Sequence, residues 1–515
     1  MTESSADAVE RGLGPGPLSP APNLARRTAV GVGWSAGAKL VQQVVQFGLS
    51  LYLMRVLGPK AYGLVGMVLV FSGFAAVFSE LGFSSAIVQR THLTEEHRSS
   101  IFWTVLGAGV LIAAILAASA PLIARFYNEA DLTPIVRWTA LGFILGAPAA
   151  VPRALLQRRM SFSRLARIDV GALAVAGVVA VVAAMRGLGV WALVAQSLAS
   201  TATSAVLALA LAGWRPRLTF SVSAIRDIAG FGGGLTGFNV VNYWARSADN
   251  LLVAKFLGPI ALGFYSRAYV LMLLPLTQVV AVIAPAMFPA LSSIQNDRER
   301  VRRAYLRAMR LITFVTFPLM LGLVSVAPQF VLGLFGAQWA PVAPLIEILA
   351  FVGVTQSLCN PVGWIYMSQG RTDWMLWWGL GGSGTLIASI VVGVLWGGTR
   401  EVAIAYLVGN LVITYPCIAI PGRLIGMKVS DVLRAVAANF ACAVVMAISV
   451  ALAALAITGM SPRLQLAVLV PVGIAVYVAL SAATGQPAMF ELARALRSLR
   501  AGGKGGEPLG GGYPA

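Results

Sequence analysis

Two stretches of this chain place polar and charged side chains where an apolar helix has no need of them. In the first, Ser35, Lys39, Gln42, Gln43, Gln46 and Ser50 recur at spacings of three, four and seven, which puts them on one helical face. In the second, Thr236, Asn239, Asn242, Arg246, Asp249 and Asn250 do the same. A shift of 200 residues superposes Lys39 on Asn239, Gln42 on Asn242, Gln46 on Arg246 and Ser50 on Asn250. A guanidinium offers five fixed donors suited to phosphate oxygens, and a lysine adds a compact point charge. Two matched faces of this kind point to one shared, cationic, water-filled interior.

Each residue also has a plainer reading. Lys39 lies early in its apolar run and reaches the interface by snorkelling, although Gln42, Gln43 and Gln46 carry polarity deeper. Arg246 and Asp249, at i and i+3, form a structural ion pair or line the cavity. Arg267 reaches the outer interface or joins the same cationic site. Glu80 partners a cation or is a protonatable coupling group, and Asp249 shares that second possibility. Gln356 and Asn410 read as interhelical hydrogen-bonding groups. A charge at the bilayer centre costs roughly 2.5–3.5 kcal/mol on insertion scales, so each charged position needs a use.

The elements that position these residues are long apolar helices. The chain has 515 residues, is 58% hydrophobic and only 11% charged, and its mean hydropathy is +0.81. Apolar runs long enough to cross a hydrocarbon core of about 30 Å recur along it, about fourteen in all. The first polar helix ends in Leu57-Gly58-Pro59-Lys60-Ala61-Tyr62-Gly63 and the second in Leu257-Gly258-Pro259-Ile260-Ala261-Leu262-Gly263. Leu132-Thr133-Pro134 and Val342-Ala343-Pro344 open later corresponding spans. An internal repeat over six spans gives two halves of the same orientation. The expected fold is an all-α polytopic membrane protein of two pseudo-symmetric six-helix bundles plus two C-terminal helices. The expected divisions are a disordered tail at 1–28, bundles at 29–214 and 231–424, a linker at 215–230 read as a lateral interfacial helix, two added helices within 425–486, and a tail at 487–515.

Basic residues fix the orientation. Most of the 38 Lys and Arg fall in alternate loops, among them Arg26, Arg27, Arg153, Arg158, Arg159, Arg300 and Arg303. The intervening loops hold few, including Arg55, Lys60 and Lys255. The positive-inside rule then places both termini in the cytoplasm. The net charge of +19 belongs with anionic lipid surfaces rather than nucleic acid. Cys359, Cys417 and Cys442 fall in spans without metal-ligand spacing. Gly232-Gly233-Gly234-Leu235-Thr236-Gly237 lacks the ending of a phosphate loop and reads as a site of close helix packing or a hinge. No loop is long enough for a catalytic domain, and no metal or cofactor is expected.

Several runs together resemble a known family. They are Arg55-Val56-Leu57-Gly58-Pro59, Glu80-Leu81-Gly82, Ala86-Ile87-Val88-Gln89-Arg90, Pro152-Arg153-Ala154-Leu155-Leu156-Gln157-Arg158, Asp249-Asn250-Leu251-Leu252-Val253 and Phe288-Pro289-Ala290-Leu291. In order and spacing the chain resembles the bacterial polysaccharide transporters of the MOP superfamily, the Wzx-type flippases, over roughly residues 28–485. The resemblance implies a V-shaped cavity between two bundles and a place in the bacterial inner membrane. It implies alternating-access transfer of an undecaprenyl-pyrophosphate-linked glycan from the cytoplasmic to the periplasmic leaflet, without enzymatic chemistry. It implies cavity Arg and Lys for the anionic head group, for which Lys39, Arg246 and Arg267 are the candidates. The sugars then meet Gln42, Gln43, Gln46, Asn239 and Asn242, and Glu80 and Asp249 are left as coupling or ion-pair residues. Anionic lipids and the polysaccharide polymerase and export machinery are the expected partners. A cation-coupled multidrug antiporter of the same superfamily and a membrane glycan polymerase or ligase are the alternatives.

Overall fold

The computed structural model describes residues 42–80, 87 and 94–491, excluding the side chains of Glu80, 224–242, Ala245 and Val282. Lys39, with the rest of 1–41, residues 492–515 and the side chains of Glu80, Asn239 and Asn242 therefore lie outside the described residues. The described chain is helical, with no strand. In hydrocarbon each backbone N–H and C=O must be satisfied within its own segment, and apolar runs of this length achieve that only as helices.

Among the described residues the long helices follow in order: α1 (42–56), α2 (Pro59–Glu80), α3 (Glu95–Tyr127), α4 (Leu132–Gly146, prolonged into Ala150–Arg158), α5 (Phe162–Met185) and α6 (Val190–Ala212). A continuous helical stretch, Val222–Ser293, comes next. Straight, its 72 residues would reach about 108 Å, several bilayer cores. It breaks at Gly258, whose φ of 82° and ψ of −179° belong to a region essentially reserved for glycine. The arms before and after the break are α7 and α8. Then come α9 (Arg298–Ser325), α10 (Val342–Cys359, prolonged to Ser368), α11 (Thr372–Trp396), α12 (Thr399–Gly422), α13 (Val429–Ala456) and α14 (Pro462–Ala483).

Among the described residues, twelve helices are long and apolar enough to cross a membrane. The long kinked helix counts once, and α1 is described only from residue 42. The linker differs from the expected lateral helix. Residues 215–221 are not helical, and α7 already begins at Val222. Side chains at the start of α3 satisfy this strap. Trp103 Nε1 donates to the Arg217 carbonyl at 2.8 Å, and Ser100 Oγ accepts from Ser221 N at 2.9 Å.

Local signals set the boundaries. Thr94 accepts from His97 N at the head of α3, with Glu95 and Glu96 in the first turn, where carboxylates favour the helix dipole. Asp297 caps α9 through Arg300 N at 3.0 Å. At the C-terminus of α6, Arg159 donates to the carbonyl of Ala212 and Arg164 to that of Leu211. These arginines, expected in an inner loop, satisfy helix-end carbonyls that have no partner within the helix.

Packing pairs α3 with α4, α5 with α6, α9 with α13, α11 with α12, and α2 with the kinked helix. Ala172, Ala176, Ala180 and Ala183 form the buried stripe of α5, and small side chains let membrane helices approach closely. Leucines such as Leu111 on α3, 60% exposed, and Leu395 on α11, 77% exposed, face outward, as the lipid side of a span requires.

Candidate functional site

The two repeat motifs meet each other. A Cβ on Gly63 would overlap the backbone carbonyl of Pro259, and one on Gly263 would overlap that of Pro59. Gly66 is approached by the side chain of Leu262, 2.9 Å from where its Cβ would lie. Here α2 crosses α8 with the same surface from each half, so the repeat is two copies of one self-complementary contact.

A latch beside this crossing joins α1 to the turn before α10. Trp339, fully buried, donates Nε1 to the Met54 carbonyl at 2.6 Å. Gln338 Nε2 donates to the Met54 and Arg55 carbonyls, each at 3.0 Å. Arg55 returns two bonds of 2.5 Å to the carbonyls of Gly333 and Leu334. The Tyr62 ring meets Trp339 edge-on at 5.5 Å. Arg267 also stacks on Tyr62, its Cζ 4.9 Å from the ring centroid. It is thus engaged in the contact between the halves.

The polar faces lie away from the crossing. Gln42 and Gln43 are half-buried and Gln46 is exposed; none bonds to another described residue. Arg246 is exposed, twelve positions before Gly258 and so roughly 18 Å along α7 from the kink. Asp249, by contrast, is buried at 5% exposure. Among the described residues Arg246 and Asp249 form no ion pair within 4.0 Å. Asp249 Oδ1 accepts from Asn250 N at 2.7 Å.

A tyrosine cluster faces Asp249, and nothing in the sequence singled it out. Tyr265, Tyr269 and Tyr406 all lie within electrostatic range of its carboxylate. Tyr265 and Tyr269 stack with centroids 6.2 Å apart. Tyr269 and Tyr406 share a long hydroxyl contact of 3.5 Å. Gln356 Nε2 donates to the Tyr406 hydroxyl at 3.2 Å, an interhelical bond of the expected kind. Asn410 instead donates within its own helix, to the Tyr406 carbonyl. The Tyr265 hydroxyl and Asn250 Oδ1 are buried without a partner among the described residues, polar capacity that a ligand or water would satisfy. The i, i+4 spacing of Tyr265 and Tyr269 was visible, but alone it reads as core packing.

Two cavities flank α2. One, of about 820 Å³, is almost wholly apolar and is walled by Phe71, Phe74 and Phe78 of α2, Ile115 and Leu122 of α3, and Trp244 of α7. The other, of about 490 Å³, lies between α2, α3 and α4 and contains Arg153. Arg153 was expected in an inner loop. It sits on the helical prolongation of α4 and is half-buried, with Nη2 2.8 Å from Asp169 of α5 and Nη1 3.1 Å from Ser204 of α6.

Comparison with known proteins agrees with this architecture. The family model described as "Polysaccharide biosynthesis protein" matches residues 52–344. The Bacillus subtilis teichuronic acid biosynthesis protein TuaB is 27% identical over 70% of this chain and 75% of its own. The Escherichia coli lipopolysaccharide biosynthesis protein WzxC is 26% identical over 76% and 80%, and the Rhizobium meliloti succinoglycan biosynthesis transport protein ExoT 27% over 74% and 77%. Among solved structures, the lipid II flippase MurJ in an inward closed conformation superposes with a TM-score of 0.68 at 14% identity, covering 88% of this chain and 98% of that one. An inward-facing multidrug resistance MATE transporter of the MOP superfamily gives 0.61 at 17%, covering 75% and 94%. These two likenesses concern the fold. With its match extending over more than half of its length, the chain belongs to the polysaccharide biosynthesis protein family, as the Wzx-type resemblance implied.

Proposed function

We propose that this protein is a flippase that carries an undecaprenyl-pyrophosphate-linked oligosaccharide from the cytoplasmic to the periplasmic leaflet. The observation that carries this reading is Arg246. Its guanidinium is exposed and without an ion pair among the described residues, yet it lies deep in an arm of a membrane-spanning helix. An uncompensated cation at that depth is costly unless it faces water and meets an anion. A pyrophosphate matches its donor fork, and relatives are named for teichuronic acid, lipopolysaccharide and succinoglycan biosynthesis.

In this mechanism Lys39 and Arg246 draw the head group into a cavity open to the cytoplasm. Gln42, Gln43, Gln46, Asn239 and Asn242 contact the sugars. With Arg55 and Lys60 taken as periplasmic, the latch and the motif crossing serve to close the outer end. Rocking of the halves about the crossing breaks the latch and opens the site outward. Arg267, stacked on Tyr62, meets the substrate only once the latch opens. Glu80 and Asp249 remain candidates for coupling.

The test is complementation of glycan export in cells lacking the gene. Lys39→Ala and Arg246→Ala abolish export at unchanged protein levels; wild-type export by both removes the cationic site. A cation-coupled drug antiporter is the second reading, favoured by the buried Asp249 carboxylate. It predicts altered sensitivity to cationic drugs and normal glycan export.

A further inference from the structure

The 490 Å³ cavity between α2, α3 and α4 has a composition of its own. Its size lies in the roughly 300–1,000 Å³ range of small-molecule sites. Its polar groups are Ser79, Arg153 and Gln157, and Gly109, Gly142 and Gly146 supply room. A Cβ on Gly109 would meet the Phe143 carbonyl oxygen at 2.8 Å, and one on Gly146 would meet Thr201 at 2.9 Å. Those two glycines are fixed by helix approach. A Cβ on Gly142 would stand in ordinary contact with Leu198 of α6, at 3.8 Å.

Arg153 presents a held and neutralised donor group to this space. Asp169 and Ser204 each engage one terminal nitrogen, and a guanidinium has five N–H donors. The remaining donors are available, while the adjacent Asp169 carboxylate offsets the charge. An anion therefore gains little here, whereas a neutral hydroxyl oxygen gains a hydrogen bond. Ser79 spends its own proton on the Ala76 carbonyl, 2.8 Å away, which leaves its oxygen to accept. The exposed Gln157 amide both donates and accepts. Donors and acceptors without net charge are the complement of sugar hydroxyls.

The neighbouring cavity supports the same ligand. Phe78 lines the large apolar groove and Ser79, next in sequence, lines the polar cavity. On α3, Ile112 and Gly109 divide in the same way. A hydrocarbon groove and a hydroxyl-binding cavity thus stand side by side, as an amphipathic molecule requires. We infer that the Arg153 cavity binds a sugar residue of the lipid-linked glycan, an assignment that rests on the proposed function and adds a sugar site apart from the polar faces that carry Arg246.

The experiment is calorimetric titration of the purified full chain with two probes: oligosaccharide released by mild acid from the host's undecaprenyl-linked pool, and inorganic pyrophosphate. Arg153→Gln, which removes the guanidinium donors that line this space, is expected to weaken oligosaccharide binding at least tenfold. Pyrophosphate binding stays within twofold. Gln157→Ala, at an exposed position, replaces any variant that elutes aggregated and carries the same expectation. Oligosaccharide affinity within twofold of wild type in the folded variants overturns the assignment, as does an export-competent wild type that binds no oligosaccharide. Failure of the wild-type gene to restore export is a different result and overturns the flippase reading instead.

Discussion

Gly63 faces the carbonyl of Pro259 so closely that no Cβ fits between them, and Gly263 stands in the same relation to Pro59. The two halves therefore share a contact in which the same Gly–Pro approach is made from both sides. An isologous contact of this kind lets one short motif, present twice, serve as both surfaces of the joint. The tight approach also explains why the motif keeps glycine at its last position. In the proposed mechanism this crossing is the fixed point about which the latch breaks and forms.

Gly63→Ala should force the α2–α8 crossing apart. Overpacking of this kind costs about 1–3 kcal/mol. The expected result is a lower unfolding temperature in detergent and reduced export. Gly263→Ala should behave alike, and the double variant should be less than additive because both act on one contact. Unchanged stability in both single variants would show that the crossing is not tightly packed in the working protein.

Trp339→Phe retains the ring against Tyr62 and removes only the donor to the Met54 carbonyl. A typical hydrogen bond contributes about 0.5–1.5 kcal/mol, so the latched population should fall roughly two- to tenfold relative to the open one. In a cysteine-free background, Leu57→Cys reports the opening, since Leu57 is buried at 3% exposure. Its labelling by a water-soluble thiol reagent should speed up by a similar factor when Trp339→Phe is added. An unchanged rate would mean that this bond does not hold the closed end.

Much of the fold was legible because the bilayer leaves the chain few options. Hydropathy located the helices, and the repeat at Leu57 and Leu257 paired the halves. The sequence did not reveal that the two motifs touch, because identity of two segments says nothing about their distance. Tyr406 was hidden for a related reason: it is 137 residues from its partner Tyr269, and an aromatic in an apolar helix looks like packing. Arg153 was misplaced because positive-inside counting treats every arginine near a span end as loop charge. Its Asp169 and Ser204 partners lie on two other helices. The lateral helix over 215–230 was expected from interleaved arginines and apolar residues, whereas Trp103 and Ser100 hold 215–221 as a strap.

Arg246→Lys keeps the charge and loses the bidentate fork. Partial export is expected from it, against a loss of more than about tenfold for Arg246→Ala, consistent with charge-assisted bonds being roughly twice as strong as neutral ones. Asp249→Asn conserves shape in the tyrosine cluster. It should leave the unfolding temperature near wild type and reduce export, since a buried carboxylate without an ion pair is retained for use rather than stability. Equal export by Asp249→Asn would assign Asp249 to packing.

Movement of a net negative head group outward is favoured by the membrane potential, by about 2.3 kcal/mol per charge per 100 mV. In proteoliposomes with a fluorescent lipid-linked glycan, a potassium–valinomycin potential, negative on the cytoplasmic face, should accelerate transfer away from that face. The opposite potential should slow it. Transfer indifferent to both would mean that the charge crosses compensated.

The central claim is tested most directly by mass spectrometry of undecaprenyl-linked oligosaccharides in cells that lack this protein and retain downstream assembly. The account predicts that complete repeat units accumulate on the cytoplasmic face, and that the wild-type gene relieves this while Arg246→Ala does not. Absence of accumulation, with changed sensitivity to cationic drugs in its place, would contradict it.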